Sequence, residues 1–162
     1  MTPTVDQTVG VIPYSKIFHA CSFSNEKSYV SKCWRVYMWQ KFVYLGLAGA
    51  AGTITRYWLS GVIQRNIMTA FPLGTAAVNI LGCLLFGLFW AFVENRLSIT
   101  PQMRMIIFVG FFGAFTTFSS FVFETGQLLD ESQWLWAAGN VLFQNVIGIT
   151  CILTGLAVGK LI

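Results

Sequence analysis

The sequence predicts an all-α membrane protein of four transmembrane helices, the third of them broken in mid-membrane. Three observations carry that expectation. Of 162 residues, 56% are hydrophobic and 10% charged, with a mean hydropathy of +0.67, whereas a water-soluble domain carries about 25% charged residues. After Met38 the apolar residues gather into four runs of spanning length. The third run is interrupted by Gly110, Gly113 and four hydroxyls at Thr116, Thr117, Ser119 and Ser120.

Residues 1–37 differ from everything after them. They are polar and mixed in charge, without a periodic apolar face or a signal-peptide run, and bury too little to order themselves. The expected division is therefore 1–37 as a disordered or misassigned N-terminal extension and 38–162 as a four-helix transmembrane domain. Met38-Trp39-Gln40-Lys41 opens directly onto a span, so Met38 reads as the start; a disordered cytoplasmic tail is the alternative.

The first span is Phe42–Ile63, whose 22 residues reach about 33 Å as a helix, enough to cross a bilayer core. Gly46, Gly49 and Gly52 permit close helix approach. Arg65, Asn66 and Pro72 mark a short loop. The second span runs from Leu73 to Val93 and ends at Glu94-Asn95-Arg96. Ser98–Arg104 is expected as a loop, with Pro101 at or near a helix start. The third span is Met105–Leu129, closed by a tight loop at Asp130-Glu131-Ser132. Trp134 and Trp136 suit an interfacial aromatic belt before the last span, Ala137–Ile162.

Four spans place both ends on one side. Lys41, Arg96, Arg104 and Lys160 lie on that side against Arg65 alone on the other, so the bias favours cytoplasmic termini. Lys and Arg occur singly rather than in the clustered stripe of a nucleic-acid binder, which excludes that partner. Cys21, Cys33, Cys83 and Cys151 have no C-x-x-C spacing and imply neither a metal nor a disulfide framework. The single histidine, His19, lies in the polar tail. That excludes haem held by paired intramembrane histidines, and no nucleophile with a base appears, so no catalysis is expected.

Within the third span, hydroxyls offer the backbone competing hydrogen bonds and the glycines weaken helix propensity. Opened backbone at membrane depth is tolerated only where it is buried in protein or lines a water-filled path. Asn79 lies mid-way along the second span, sharing a face with Thr75 and Gly82; its amide serves either as glue between helices or as a donor to an anion. Phe118 and Phe121 share a face at i, i+3. They are core or lipid-facing residues, or they present ring edges, the positive end of the quadrupole, to an anion. Arg56 and Glu124 are charges inside spans. Arg56 either snorkels or attracts anions into a vestibule, and Glu124 pairs with Ser120 or with a neighbouring helix. In the fourth span Asn140, Gln144, Cys151 and Thr154 fall roughly along one stripe.

Gly110-x-x-Gly113-x-x-Thr116-Thr117-Phe118-Ser119-Ser120-Phe121 followed by Glu124 resembles the third-helix signature of the Fluc (CrcB) family of fluoride-specific ion channels. Gly52-x-x-x-Arg56 and Gly74-Thr75-x-x-x-Asn79-x-x-Gly82 match in the same order, and the resemblance covers Met38 to Ile162. It implies an antiparallel, dual-topology dimer in the cell inner membrane, either a homodimer or a heterodimer with an oppositely oriented paralogue, surrounded by membrane lipid. The implied activity is passive fluoride efflux that protects the cell from fluoride toxicity. Carried over residue by residue, the implied fluoride pathway comprises Thr75, Asn79, Phe118, Ser119, Ser120, Phe121, Asn140 and Gln144. Ser120 stands where Thr is commoner, and Asn140 and Gln144 where a smaller or phenolic group is common. Arg56 becomes an anion vestibule residue, Glu124 a further site residue, and Gly113 and Thr116 carbonyl ligands of a structural Na+ at the dimer centre. Two other classes remain open: a small proton-coupled multidrug-type transporter, which wants a carboxylate in the first span where Arg56 stands, and a non-transporting membrane assembly subunit.

Overall fold

In the computed structural model, residues 27–67, 69, 71–97 and 99–161 are described. Contacts divide the chain into two units, Met1–Phe42 and Val43–Ile162. Within the first, residues 27–42 form the opening part of helix α1, which runs Lys27–Asn66. The helix thus starts upstream of Met38, at Lys27. The physical reason is cooperativity: once a span is helical, each added upstream residue closes one hydrogen bond without a new nucleus. The expectation for residues 1–26, with His19 and Cys21, lies outside the described residues.

The second unit holds the remainder of α1, α2 (Leu73–Arg96), a third span made of several pieces, and α6 (Trp134–Leu161). The third span comprises α3 (Pro101–Met105), a π-helical segment (Ile106–Phe112), α4 (Gly113–Phe115) and α5 (Phe118–Asp130). Among the described residues three spans are long and apolar enough to cross a membrane: Leu73–Arg96, Pro101–Asp130 and Trp134–Leu161. Helix α1 contains the whole expected first span, but Thr53, Thr55, Arg56, Tyr57 and Ser60 make it less apolar than those three.

Thr100 caps α3, its hydroxyl accepting from the Met103 N–H at 3.3 Å, with Pro101 at the first turn. Residues 101–104 are therefore helix rather than loop, because the cap and the pre-set φ of Pro101 start the helix at once. At the other end of the span, Gln133 N–H donates to Leu128 C=O and Ser132 N–H to Leu129 C=O. Ser132 sits at φ 61°, which closes α5 in a Schellman turn.

Helices α2 and α6 pack at backbone contact. A Cβ on Gly87 would meet the Ile152 carbonyl, one on Gly155 the Leu84 carbonyl, and one on Gly159 the Leu88 carbonyl. Small residues of this kind let membrane helices approach until dispersion contacts replace lipid contacts. The π-helical segment turns Phe108 and Phe112 onto Phe86 of α2, with ring centroids 5.0 and 5.7 Å away. Trp90 stands 5.0 Å from Phe108 and carries the Arg104 guanidinium 5.9 Å above its ring.

Candidate ion pathway

The third span breaks where the hydroxyl cluster predicts. Thr116 (ψ 157°) and Thr117 (φ −145°, ψ 113°) are extended between α4 and α5. Gly82 makes room for the break, since a Cβ there would collide with the Thr116 methyl. One turn earlier on α2, Asn79 grips it: its Oδ1 accepts the Thr117 N–H at 2.8 Å and its Nδ2 donates to the Thr117 C=O at 3.1 Å. A side-chain amide thus takes the place of a helical turn. Thr117 in turn caps α5, accepting the Ser120 N–H at 3.2 Å and donating to Ser120 Oγ at 3.0 Å, with Ser119 Oγ 3.3 Å away.

The diverted donors have a consequence for the carbonyls. In an unbroken helix Thr117 N–H would bond the Gly113 carbonyl, and Ser120 N–H the Thr116 carbonyl. Here those donors go to Asn79 and to the Thr117 hydroxyl. The break thus takes their helical donors from the carbonyls of Gly113 to Thr116 alike, a set that includes the two expected to hold a cation, and backbone oxygens suit a hard cation. Among the described residues no group of His, Cys, Asp and Glu could hold a metal ion, and a carbonyl site requires none.

Asn79 also donates to Gln144 Oε1 at 2.7 Å, Gln144 Nε2 to Asn140 Oδ1 at 2.9 Å, and Asn140 Nδ2 to Thr125 Oγ1 at 2.9 Å. Thr125 closes the chain on the Phe121 carbonyl at 2.7 Å. Asn140 is fully buried and Gln144 nearly so. Both hydrogens of Asn79 are donated within the chain, whereas Gln144 and Asn140 each donate one of two. Cys151 is half-buried and Thr154 exposed, its hydroxyl bonded to the Thr150 carbonyl, so neither belongs to this network.

Glu124 pairs with α2 rather than with Ser120: Thr75 Oγ1 donates to its Oε1 at 2.5 Å. Its other oxygen is buried without a hydrogen-bond partner, as is Arg56 Nε. Arg56 and Glu124 line one cleft of about 480 Å³ together with Thr75, Thr117 and Ser120. Phe118 is 75% exposed and Phe121 only 8%, their centroids 5.6 Å apart.

The structure therefore brings Thr75, Asn79, Ser120, Glu124, Gln144 and Asn140 into one polar band, and leaves Phe118 pointing out of the chain. Two members were missed from sequence. Thr117, the hub, was visible only as one of four hydroxyls, and Thr125 gave no signal beyond its i+4 spacing from Phe121.

Residues 43–156 match the profile of the family described as CrcB-like protein, Camphor Resistance (CrcB). A protein of Nitrosococcus oceani named fluoride-specific ion channel FluC is 50% identical over 125 residues, covering 77% of this chain and all of that protein. Proteins of the same name from Maridesulfovibrio salexigens and Solidesulfovibrio magneticus are 48% and 47% identical, covering 75% and 77% of this chain and 97% and 100% of theirs. The matched stretch contains the broken span, its Asn79 staple and the Arg56–Glu124 cleft. The chain belongs to the CrcB family.

Proposed function

We propose that this protein is a fluoride-specific ion channel that lets fluoride leave the cell passively, and that it sits as a multi-pass protein in the cell inner membrane with α1 as its fourth crossing. The observation that carries the reading is the mid-membrane break stapled by Asn79, set in a chain about half identical to proteins named as such channels. Fluoride is small and strongly hydrated, so a dry path must replace its water with fixed donors, as other selectivity filters do. The uncommitted amide hydrogens of Gln144 and Asn140, the hydroxyls of Ser119 and Ser120, and the ring edges of Phe118 and Phe121 are of that kind. None carries a full positive charge that would trap the ion. Arg56, with its unpaired Nε at the cleft, supplies attraction at the mouth.

The working unit in this reading is an antiparallel dimer, either of two copies or with an oppositely oriented paralogue. The exposed Phe118 beside the break is the surface that calls for a partner. A sodium ion at the dimer centre would be held by the Gly113 and Thr116 carbonyls. Bound there, it would supply fixed positive charge near the path and tie the two breaks together. Loading the purified protein into liposomes and comparing fluoride with chloride efflux tests the function; rapid fluoride release with chloride retained is expected, and equal or absent release overturns it. Crosslinking in native membranes should trap dimers, and only monomers would sink the two-fold arrangement.

A further inference from the structure

The chain of amides from α2 to α6 runs one way. At one end the Thr117 N–H and C=O together dictate which atom of Asn79 is oxygen and which nitrogen. At the other end the Phe121 carbonyl can only accept, so the Thr125 hydroxyl must donate to it and accept from Asn140. Between them Gln144 presents oxygen to Asn79 and nitrogen to Asn140. Turned over, Gln144 would face donor to donor on one side and acceptor to acceptor on the other. Both neighbours therefore specify its orientation, and a buried amide in that position is costly to leave half-paired.

We propose that Gln144 is a positioning residue: by accepting from Asn79 it holds that amide on Thr117, keeps the Thr117 N–H away from the Gly113 carbonyl, and so maintains the carbonyl at the cation position. The path of influence is short. Gln144 touches Asn79, Asn79 takes the Thr117 N–H, and the donor that an intact helix would give to Gly113 is removed. The fourth span thus sets the geometry of the break in the third through the Asn79 side chain. The cation part of the inference rests on the sodium site proposed above; the positioning part rests on the hydrogen bonds.

Two substitutions separate this role from packing and from anion contact. Gln144→Met preserves length and apolar volume but offers Asn79 no oxygen. Gln144→Glu keeps an oxygen toward Asn79, while Asn140 can turn its amide to donate to the other carboxyl oxygen once the Thr125 hydroxyl swings from the Phe121 carbonyl to donate to the Asn140 oxygen. The full-length protein is read in two ways besides flux: hydrogen exchange of the Thr117 amide, and the rise in melting temperature when sodium replaces N-methylglucamine. In Gln144→Met, Thr117 exchange should quicken at least about fivefold, the scale of one lost hydrogen bond, and the sodium-dependent rise should shrink. Gln144→Glu should retain both properties while fluoride flux falls, because a carboxylate then stands beside the anion path. Wild-type exchange and sodium response in Gln144→Met, or loss of both in Gln144→Glu, would overturn the proposal. If the wild type shows no response to sodium, the proposed cation site fails, whereas the exchange measurement still decides the positioning role. Should Gln144→Met not assemble, Thr125→Val removes the far end of the chain: faster Thr117 exchange supports the proposal, and unchanged exchange counts against it.

Discussion

Phe118 and Phe121 separate when their burial is considered, although their spacing treats them alike. Phe121 is packed inside the chain and Phe118 points out of it, so replacing either ring by Ile has a different structural cost. If both ring edges face the ion, Phe118→Ile and Phe121→Ile should each lower fluoride flux by about ten- to a hundredfold, corresponding to about 1.5–3 kcal/mol of lost electrostatic stabilisation. Only Phe121→Ile should also lower thermal stability. Flux normalised to the quantity of folded protein is the measurement, and undiminished flux in both variants rules out the ring-edge role. Asn79 illustrates the limit of residue-level reading. Its polarity at membrane depth marked it as important, but only the Thr117 and Gln144 contacts show that both of its hydrogens are donated within the chain.

At the scale of elements, the break was legible because hydroxyls and glycines declare it chemically, whereas the π-helical segment Ile106–Phe112 was not. Nothing in a run of apolar residues distinguishes i+4 from i+5 pairing; the packing of Phe108 and Phe112 against Phe86 and Trp90 does. The turn after α5 makes a separate point. Ser132 adopts a left-handed conformation that glycine accepts without steric cost. Ser132→Gly should therefore raise the stability of the folded protein by about 0.5–1 kcal/mol, measured by denaturant or thermal unfolding in detergent. A loss of stability would show that the serine side chain holds the turn in some other way. Helix α6 offers a paired test of packing. Helix propensity alone favours alanine over glycine anywhere in a helix interior, yet a Cβ at Gly155 would meet the Leu84 carbonyl while one at Gly139 meets nothing within 4 Å. Gly155→Ala should destabilise by about 1–3 kcal/mol and Gly139→Ala should be neutral or stabilising; equal effects would mean that α2 and α6 do not meet as closely as described.

For the whole molecule, the residues that match the family profile, 43–156, fall within the second unit, Val43–Ile162. The part of α1 in the first unit, residues 27–42, contributes none of the site residues. A chain beginning at Met38 should accordingly insert into membranes and conduct fluoride at the rate of the full-length protein. Failure of the shortened chain to insert, or a large drop in efflux, would assign a role to residues 1–37.

Composition and apolar run length were enough to determine an all-helical membrane protein, because the bilayer admits few ways to bury a backbone. They also placed the break and the charges of Arg56 and Glu124 within apolar runs, since each is unusual in its immediate neighbourhood. What tertiary structure decided was partnership. Thr75 rather than Ser120 bonds Glu124, Asn79 replaces a turn of the third span, and Asn140 and Gln144 join that span through Thr125. These pairs, with Asn79–Gln144, are separated by between 15 and 65 residues along the chain. Helical periodicity assigns each side chain to a face, but which faces meet, and at what height, depends on how closely Gly82, Gly87 and Gly155 let the spans approach.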